Sequence, residues 1–285
     1  MDIFVPYCHG PSHEIESAAQ VRNARWRLCL GNKMAETVSS QQPTAIVTGG
    51  SRGLGRGIAQ ALVARGVRVI ALARDAAGLE ALARELANAS SPWSPTLPTK
   101  LSRPAFCKKD NPIWSCSAPE RPRSCARFTL HSWDTFSLNW EVDAKSVFVW
   151  LRNALLLPMK PGSHIVIVSS MAAINGSPLS GSYAGAKRML WLMADYSAQE
   201  VSREKLGLHI HCLLPTLNPN TDLGRAAVAA YAARAGVSPE EFAKRLAPHL
   251  TPAVMGDAVV KLYENPPRWG KVAYRIGGDG LTPVA

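Results

Sequence analysis

The sequence predicts an α/β protein, and two stretches carry that prediction. In TAIVTGGSRGLGRGIA, residues 44–59, an apolar run ends in a glycine-rich turn that opens directly into helical periodicity. In residues 163–194 another apolar run, 165–168, leads through Ser170 to a helix carrying Tyr183 and Lys187. The first stretch describes a strand, a phosphate-sized turn and a helix. The second sets proton-transfer side chains beyond a second buried strand.

Ala45, Ile46 and Val47 read as a strand buried on both faces, and Ile58, Ala59, Leu62 and Val63 repeat at helical spacing on one side of the next segment. Between them lie Gly49, Gly53 and Gly55. A residue without Cβ permits a tight turn and a close approach of backbone to ligand. Backbone N–H groups at the helix start face a pyrophosphate, and the helix dipole favours its negative charge.

Tyr183 and Lys187 are four residues apart, so their side chains share one helix face. That pair suits acid/base work at a carbonyl. An ammonium lowers the phenol from its usual value of about 10 toward working pH, and the phenol transfers the proton. Ser170 ends the apolar run, where a hydroxyl can hold a substrate oxygen.

Together these residues resemble the short-chain dehydrogenase/reductase family. Thr48, Gly49, Gly53 and Gly55 meet its TGxxxGxG pattern, and Ser170, Tyr183 and Lys187 meet its Ser and YxxxK constellation at the expected spacing. The resemblance covers about residues 42–90 and 133–285. It implies a doubly wound parallel sheet of Rossmann-like type and hydride transfer between a nicotinamide and a carbonyl or alcohol carbon. Tyr183 would be the acid/base, Lys187 would hold the nicotinamide ribose and tune Tyr183, and Ser170 would orient the carbonyl. The turn residues Ser51, Arg52 and Leu54 would join the three glycines and Thr48 around the cofactor. Family members commonly pair through the helices flanking the serine strand, which implies a homodimer or homotetramer.

Cofactor choice is read at the end of the second strand, VRVIALARD, where such folds place an acidic residue to bind a free ribose 2′-hydroxyl. Ala73 and Arg74 stand there instead. Arg74, with Arg52, can pair with a 2′-phosphate, so NADP(H) is expected over NAD(H). The plainer reading of both is a solvated surface arginine.

The family's fourth catalytic position is an asparagine in a pattern like V-N-x-x-x-x-F, and this chain has Val142, Asp143 and Phe148. Asp143 therefore sits where the asparagine would be. An ionised carboxylate accepts hydrogen bonds but donates none, and it raises the pKa of a nearby lysine. Later, LGLHIHCLLPTLNPNTDLGR reads as a further buried strand with its exit loop. The resemblance would put Pro215 and Thr221 over the nicotinamide, with Thr216 replacing a family glycine. Residues 226–250 carry two short helical patterns, the second opened by Ser238 as N-cap with Pro239 in the first turn. By position they are the lid over the substrate.

Residues 91–130 depart from the family. Prolines recur through 92–122, no apolar alternation survives, and neither the third nor the fourth strand can be placed. The expectation is an irregular segment in their place and a central ladder left unpaired. Its composition suggests either a proline-rich insertion or an out-of-frame translation, and the second would leave a catalytically impaired protein with a binding role only. Seven basic residues against two acidic ones give this segment +5 of the chain's +11. The basic balance therefore says little about nucleic acid, and no basic stripe with interleaved aromatics is present.

Residues 1–41 read as a disordered or mis-assigned extension, with MAETVSSQQPTAIVTGG from Met34 resembling a natural start. The catalytic domain is expected over 42–285. No apolar stretch approaches the roughly 20 residues of a membrane span, no signal-peptide core is present, and the six cysteines show no CxxC pairing, so a cytoplasmic protein without membrane or nucleic-acid partners is expected. A rival reading comes from Gly49, Ser51 and Gly53, which spell the G-x-S-x-G elbow of a serine hydrolase with Asp222 and His249 following in chain order. It leaves Ser170, Tyr183 and Lys187 unexplained.

Overall fold

A computed structural model describes residues 43–88, 113–117, 127–156, 159–268 and 270–284. Among them are seven strands: β1 (Thr44–Thr48), β2 (Arg68–Leu72), β3 (Ile113–Ser117), β4 (His164–Val168), β5 (His209–Pro215), β6 (Ala273–Gly277) and β7 (Gly280–Pro283). They form one sheet in the order β2-β1-β3-β4-β5-β6-β7. All pairs are parallel except β6–β7, a closing antiparallel hairpin.

Parallel strands need helical crossovers, and those helices cover both faces of the sheet. On one face lie α1 (Gly53–Ala64), α2 (Ala76–Asn88) and α9 (Pro252–Glu264), numbering the helices along the chain. Ile58 and Leu62 of α1, with Met255 and Val259 of α9, pack there on Val47, Val166 and Leu213. Each such side chain, removed from water, stabilises the fold by about 1.5–3 kcal/mol. The other face is covered by two longer elements. The first runs through α3 (Trp133–Asn139), a π-helical turn (Trp140–Ala144) and α4 (Lys145–Leu156); the second is α6 (Tyr183–Arg203). Val147, Leu151, Leu190 and Ala194 of these pack on Ile46, Ile165, Ile167 and Leu214. The expected doubly wound α/β sheet is therefore present.

One expectation is corrected. The central ladder is not left unpaired, because β3 lies between β1 and β4 and runs parallel to both, with Ala45 opposite Ile113 and Ile113 opposite His164. The reason is physical. β1 and β4 each present a row of N–H and C=O groups that costs free energy if buried without partners, so neighbouring strands rather than local alternation recruit IWSCS into the gap. Of the two strands sought in residues 91–130, this one is found, and the described sheet ends at β2. The rest of that stretch up to residue 126, and the extension over 1–41, lie outside the described residues.

Three further helices follow the exits of β4 and β5 in the chain: α5 (Ala172–Asn175), α7 (Asp222–Ala235) and α8 (Pro239–Lys244). Ser238 caps α8 as expected, its hydroxyl accepting from the Glu241 N–H at 3.1 Å with Pro239 in the first turn.

Candidate active site

The C-terminal ends of β1, β4 and β5 share one edge of the sheet, outside which open parallel sheets hold their ligands in a crevice. At β1 the chain leaves Thr48 into Gly49, with φ 70°, and the Gly49 N–H donates to the Leu72 carbonyl at 2.7 Å. Gly53 has φ 56° and starts α1. A Cβ on Gly55 would collide with the Gly49 carbonyl oxygen, so the helix start can close on the turn only without a side chain. Leu54 is half-buried beside it, and Ser51 is buried within the turn.

Arg52, the N-cap residue of α1, is exposed, and so is Arg74 two residues beyond β2. Asp75 next to it turns inward to its own helix, its carboxylate accepting from the Gly78 N–H at 3.0 Å. The acid at this strand end thus caps α2, while the arginine faces solvent.

At β4 the backbone continues past Val168 into Ser169 and Ser170. Ser169 donates its hydroxyl to the Lys187 carbonyl at 2.7 Å, which pins the first turns of α6 to the strand end. The Ser170 hydroxyl oxygen accepts from the Ala172 N–H at 3.2 Å. The Met171 N–H donates to the Pro215 carbonyl at 3.0 Å, joining the β4 and β5 exits.

Tyr183 and Lys187 lie one turn apart on α6, both almost fully buried, with the Lys187 ammonium 5.5 Å from the Tyr183 ring centroid. Asp143 projects toward them from the π-helical turn. Its Oδ2 is 3.5 Å from Lys187 Nζ, and each side chain is only 1% exposed. A π-turn widens the helix by one residue per turn and re-aims side chains, and such turns recur at functional sites. Neither Asp143 oxygen takes a hydrogen bond among the described residues. Beneath the pair, burial pushes the Cys212 thiol well up, with the negative charge of Asp195 adding to it and Lys187 opposing. Cys212 is therefore a neutral floor.

Four further residues support the site: Asn139, His131, Ser177 and Tyr231. Asn139 accepts from the Ser182 hydroxyl at 3.0 Å and so holds the residue before Tyr183. Its i, i+4 spacing to Asp143 is the signal that could have found it. His131 packs on Gly181, where a Cβ would stand 2.9 Å from its Nε2. Ser177 and Tyr231, on α7, meet hydroxyl to hydroxyl at 2.5 Å, and Tyr231 stacks on Phe242 of α8.

Pro215 ends β5, and its carbonyl accepts from the Met171 N–H of the β4 exit. Thr221 lies further along, and its hydroxyl caps α7 by accepting from the Gly224 N–H at 3.0 Å while donating to the Asn218 carbonyl at 3.1 Å. Thr221 therefore supports the loop that Pro215 begins.

The hydrolase reading does not survive this geometry. Ser51 is buried, His249 directs Nε2 at the Ala243 carbonyl oxygen at 2.9 Å, and no hydrogen bond joins Ser51 to a histidine among the described residues. An elbow serine needs an exposed hydroxyl with a base beside it.

Comparison with known proteins agrees with this fold. The family model described as short chain dehydrogenase matches residues 43–108. The 3-oxoacyl-[acyl-carrier-protein] reductase of Escherichia coli (strain K12) is 29% identical over 192 residues, which is 64% of this chain and 75% of that protein. The 2,5-dichloro-2,5-cyclohexadiene-1,4-diol dehydrogenase of Sphingobium indicum is 25% identical over 60% of this chain and 71% of its own length. Among solved structures, an actinorhodin polyketide ketoreductase with NADPH superposes with a TM-score of 0.68 at 19% identity, covering 85% of this chain and 98% of that one. A landomycin C-6 ketoreductase with bound NADP and rabelomycin gives 0.64 at 20% identity, over 83% and 95%. The fold is a doubly wound sheet of the kind that dinucleotide-binding oxidoreductases use. Over residues 43–108 the chain matches the short chain dehydrogenase model, and its fold is the one these reductases share.

Among the described residues no helix is long and apolar enough to cross a membrane, and no group of metal-ligating side chains assembles.

Proposed function

We propose that the chain is an NADP(H)-dependent oxidoreductase that interconverts a small-molecule carbonyl and an alcohol, with Tyr183 as the acid/base. The observation that carries this reading is the buried cluster at the ends of β4 and α6, where the Lys187 ammonium stands 5.5 Å from the Tyr183 ring and Ser170 lies on the adjoining strand exit.

The turn from Thr48 to Gly55 fits a dinucleotide. Its glycines leave no side chain between backbone and ligand, and the N-terminus of α1 opens onto it with no acidic residue in its first turn. Thr48, Gly49, Ser51, Gly53, Leu54 and Gly55 would line the pyrophosphate. Arg52 and Arg74 would hold the 2′-phosphate by charge-assisted hydrogen bonds. When bound, the cofactor supplies the hydride. Pro215 and the loop that Thr221 fastens would cover the nicotinamide side of the crevice.

The remaining chemistry belongs to the chain. Ser170 presents its hydroxyl to the carbonyl oxygen, and the Tyr183 phenol delivers a proton to the same oxygen as negative charge develops there. Lys187 holds positive charge close to that phenol, which favours the phenolate once the proton has left. Ser169 and Asn139 keep the helix start in register with the strand end, so the three groups act from fixed positions.

The catalytic unit is assigned to residues 42–285, cytoplasmic, without nucleic-acid or membrane partners. A homodimer or homotetramer is supported by the exposed apolar side chains of Trp133, Leu138 and Phe148 along α3 and α4. NADPH-dependent reduction of a carbonyl panel by the wild type, lost in Tyr183→Phe, is the expected result. Cofactor binding with no Tyr183-dependent reduction would leave a binding role only, which the Asp143–Lys187 pairing favours as the second reading.

A further inference from the structure

We infer that Asp143 is a positioning residue that tunes Tyr183 through Lys187, moving the ionisation of the phenol toward alkaline pH compared with an uncharged residue at the same place. The inference rests on the acid/base role proposed above for Tyr183, but its geometry stands by itself. The carboxylate is 3.5 Å from the Lys187 ammonium, the ammonium is 5.5 Å from the Tyr183 ring, and all three side chains are at most 3% exposed. The carboxylate is thus no more than about 9 Å from the centre of the ring, within reach of a Coulomb interaction among buried groups.

A lone buried ammonium beside a phenol favours the phenolate. A carboxylate paired to that ammonium offsets its field at the ring, and its own negative charge opposes a second one nearby. The π-turn is what brings the carboxylate to this side, because it carries Asp143 while the exposed Glu141 and Lys145 pair with each other at 2.9 Å on the outer face. Other groups around the cluster leave this balance in place. Cys212 on β5 is held neutral by burial. Asp195, further along α6, is pushed up by burial with Arg188 opposing. Ser169 and Ser170 on the β4 exit are uncharged hydroxyls. Among the described residues, Asp143 and Lys187 are the fully buried opposite charges at this site.

The test reads tyrosine ionisation directly. Ultraviolet difference absorbance of wild type minus Tyr183→Phe isolates the Tyr183 titration with neither cofactor nor substrate present. The same difference in an Asp143→Asn background is expected to shift by about one pH unit toward acid. Asp143→Ser removes the charge with a different side chain and is expected to shift the same way, and it serves if Asp143→Asn does not fold. A midpoint that stays put, or moves toward alkaline pH, overturns the inference. Infrared absorption of the wild type provides an independent check: a protonated-carboxyl band at neutral pH that persists in Asp195→Asn would mean that Asp143 is uncharged, and would also overturn it. Because no cofactor enters the readout, absent reductase activity leaves the shift measurable, and an unmoved midpoint leaves the reductase reading standing.

Discussion

His164 and His209 occupy paired positions of β4 and β5 with their rings stacked 4.6 Å apart between centroids, and His211 stacks 5.8 Å from His164. The three lie at the end of the sheet opposite the crevice, against Tyr263 of α9 and Tyr274 of β6. Burial holds His164 down to about 3 and His211 down to about 4, and neighbouring histidines add to both, while the Lys271 backbone opposes the shift of His211. Burial alone lowers His209.

Acid instability follows from that stack. In the unfolded chain these rings take up protons near 6.5, while in the folded chain His164 and His211 remain neutral until about 4 or below. The unfolded state therefore binds more protons as pH falls through that window, and stability falls with it, with no further gain above 6.5. At pH 5 the cost is about 2 kcal/mol for each of His164 and His211. Denaturant unfolding at pH 7.5 and pH 5 checks this, and His164→Phe is expected to flatten the acid limb by a comparable amount.

The Gly55 contact predicts a position that tolerates no Cβ. Gly55→Ala must push α1 away from the Gly49 carbonyl, so the expected outcome is destabilisation by about 1–3 kcal/mol together with loss of NADPH binding. Thermal denaturation with and without NADPH measures both. Unchanged stability with intact binding would contradict the cradle.

Arg74 tests cofactor choice. Removing an exposed guanidinium that holds a 2′-phosphate costs one or two charge-assisted hydrogen bonds, about 1.5–3 kcal/mol. Arg74→Ala is therefore expected to weaken NADPH binding by roughly 10- to 100-fold and to leave NADH unaffected. Isothermal titration with each cofactor is the measurement, and equal losses for the two would assign Arg74 a different role.

The hydroxyl bridge from Ser177 to Tyr231 predicts a lid effect. It ties α7 to the loop after α5, and Tyr231→Phe removes the bond while keeping the stack on Phe242. KM for the carbonyl substrate is expected to rise about fivefold, the value of one hydrogen bond of about 1 kcal/mol, with kcat little changed.

Local chemistry made β1, α1 and the Tyr183–Lys187 face readable, because an apolar run, glycines and i, i+4 spacing act within a few residues. The Ser238 cap was legible for the same reason. β3 was not: IWSCS has no alternation and stands among prolines, and it is a strand because β1 and β4 flank it. Asp143 was legible as a substitution for the family asparagine. Its contact with Lys187 was not, since the π-turn that aims it has no sequence signature, and a regular helix would place residue 143 differently. The β6–β7 hairpin escaped notice although its turn, from Gly277 to Gly280, carries the glycine and aspartate expected of one.

Thermal unfolding of the purified chain alone, with NADPH, and with NADH at equal concentration tests the central claim most directly. The expected result is a cooperative transition raised more by NADPH than by NADH, with about 2.7 kcal/mol of added stability at 100 times the dissociation constant. A transition that neither cofactor moves would contradict it.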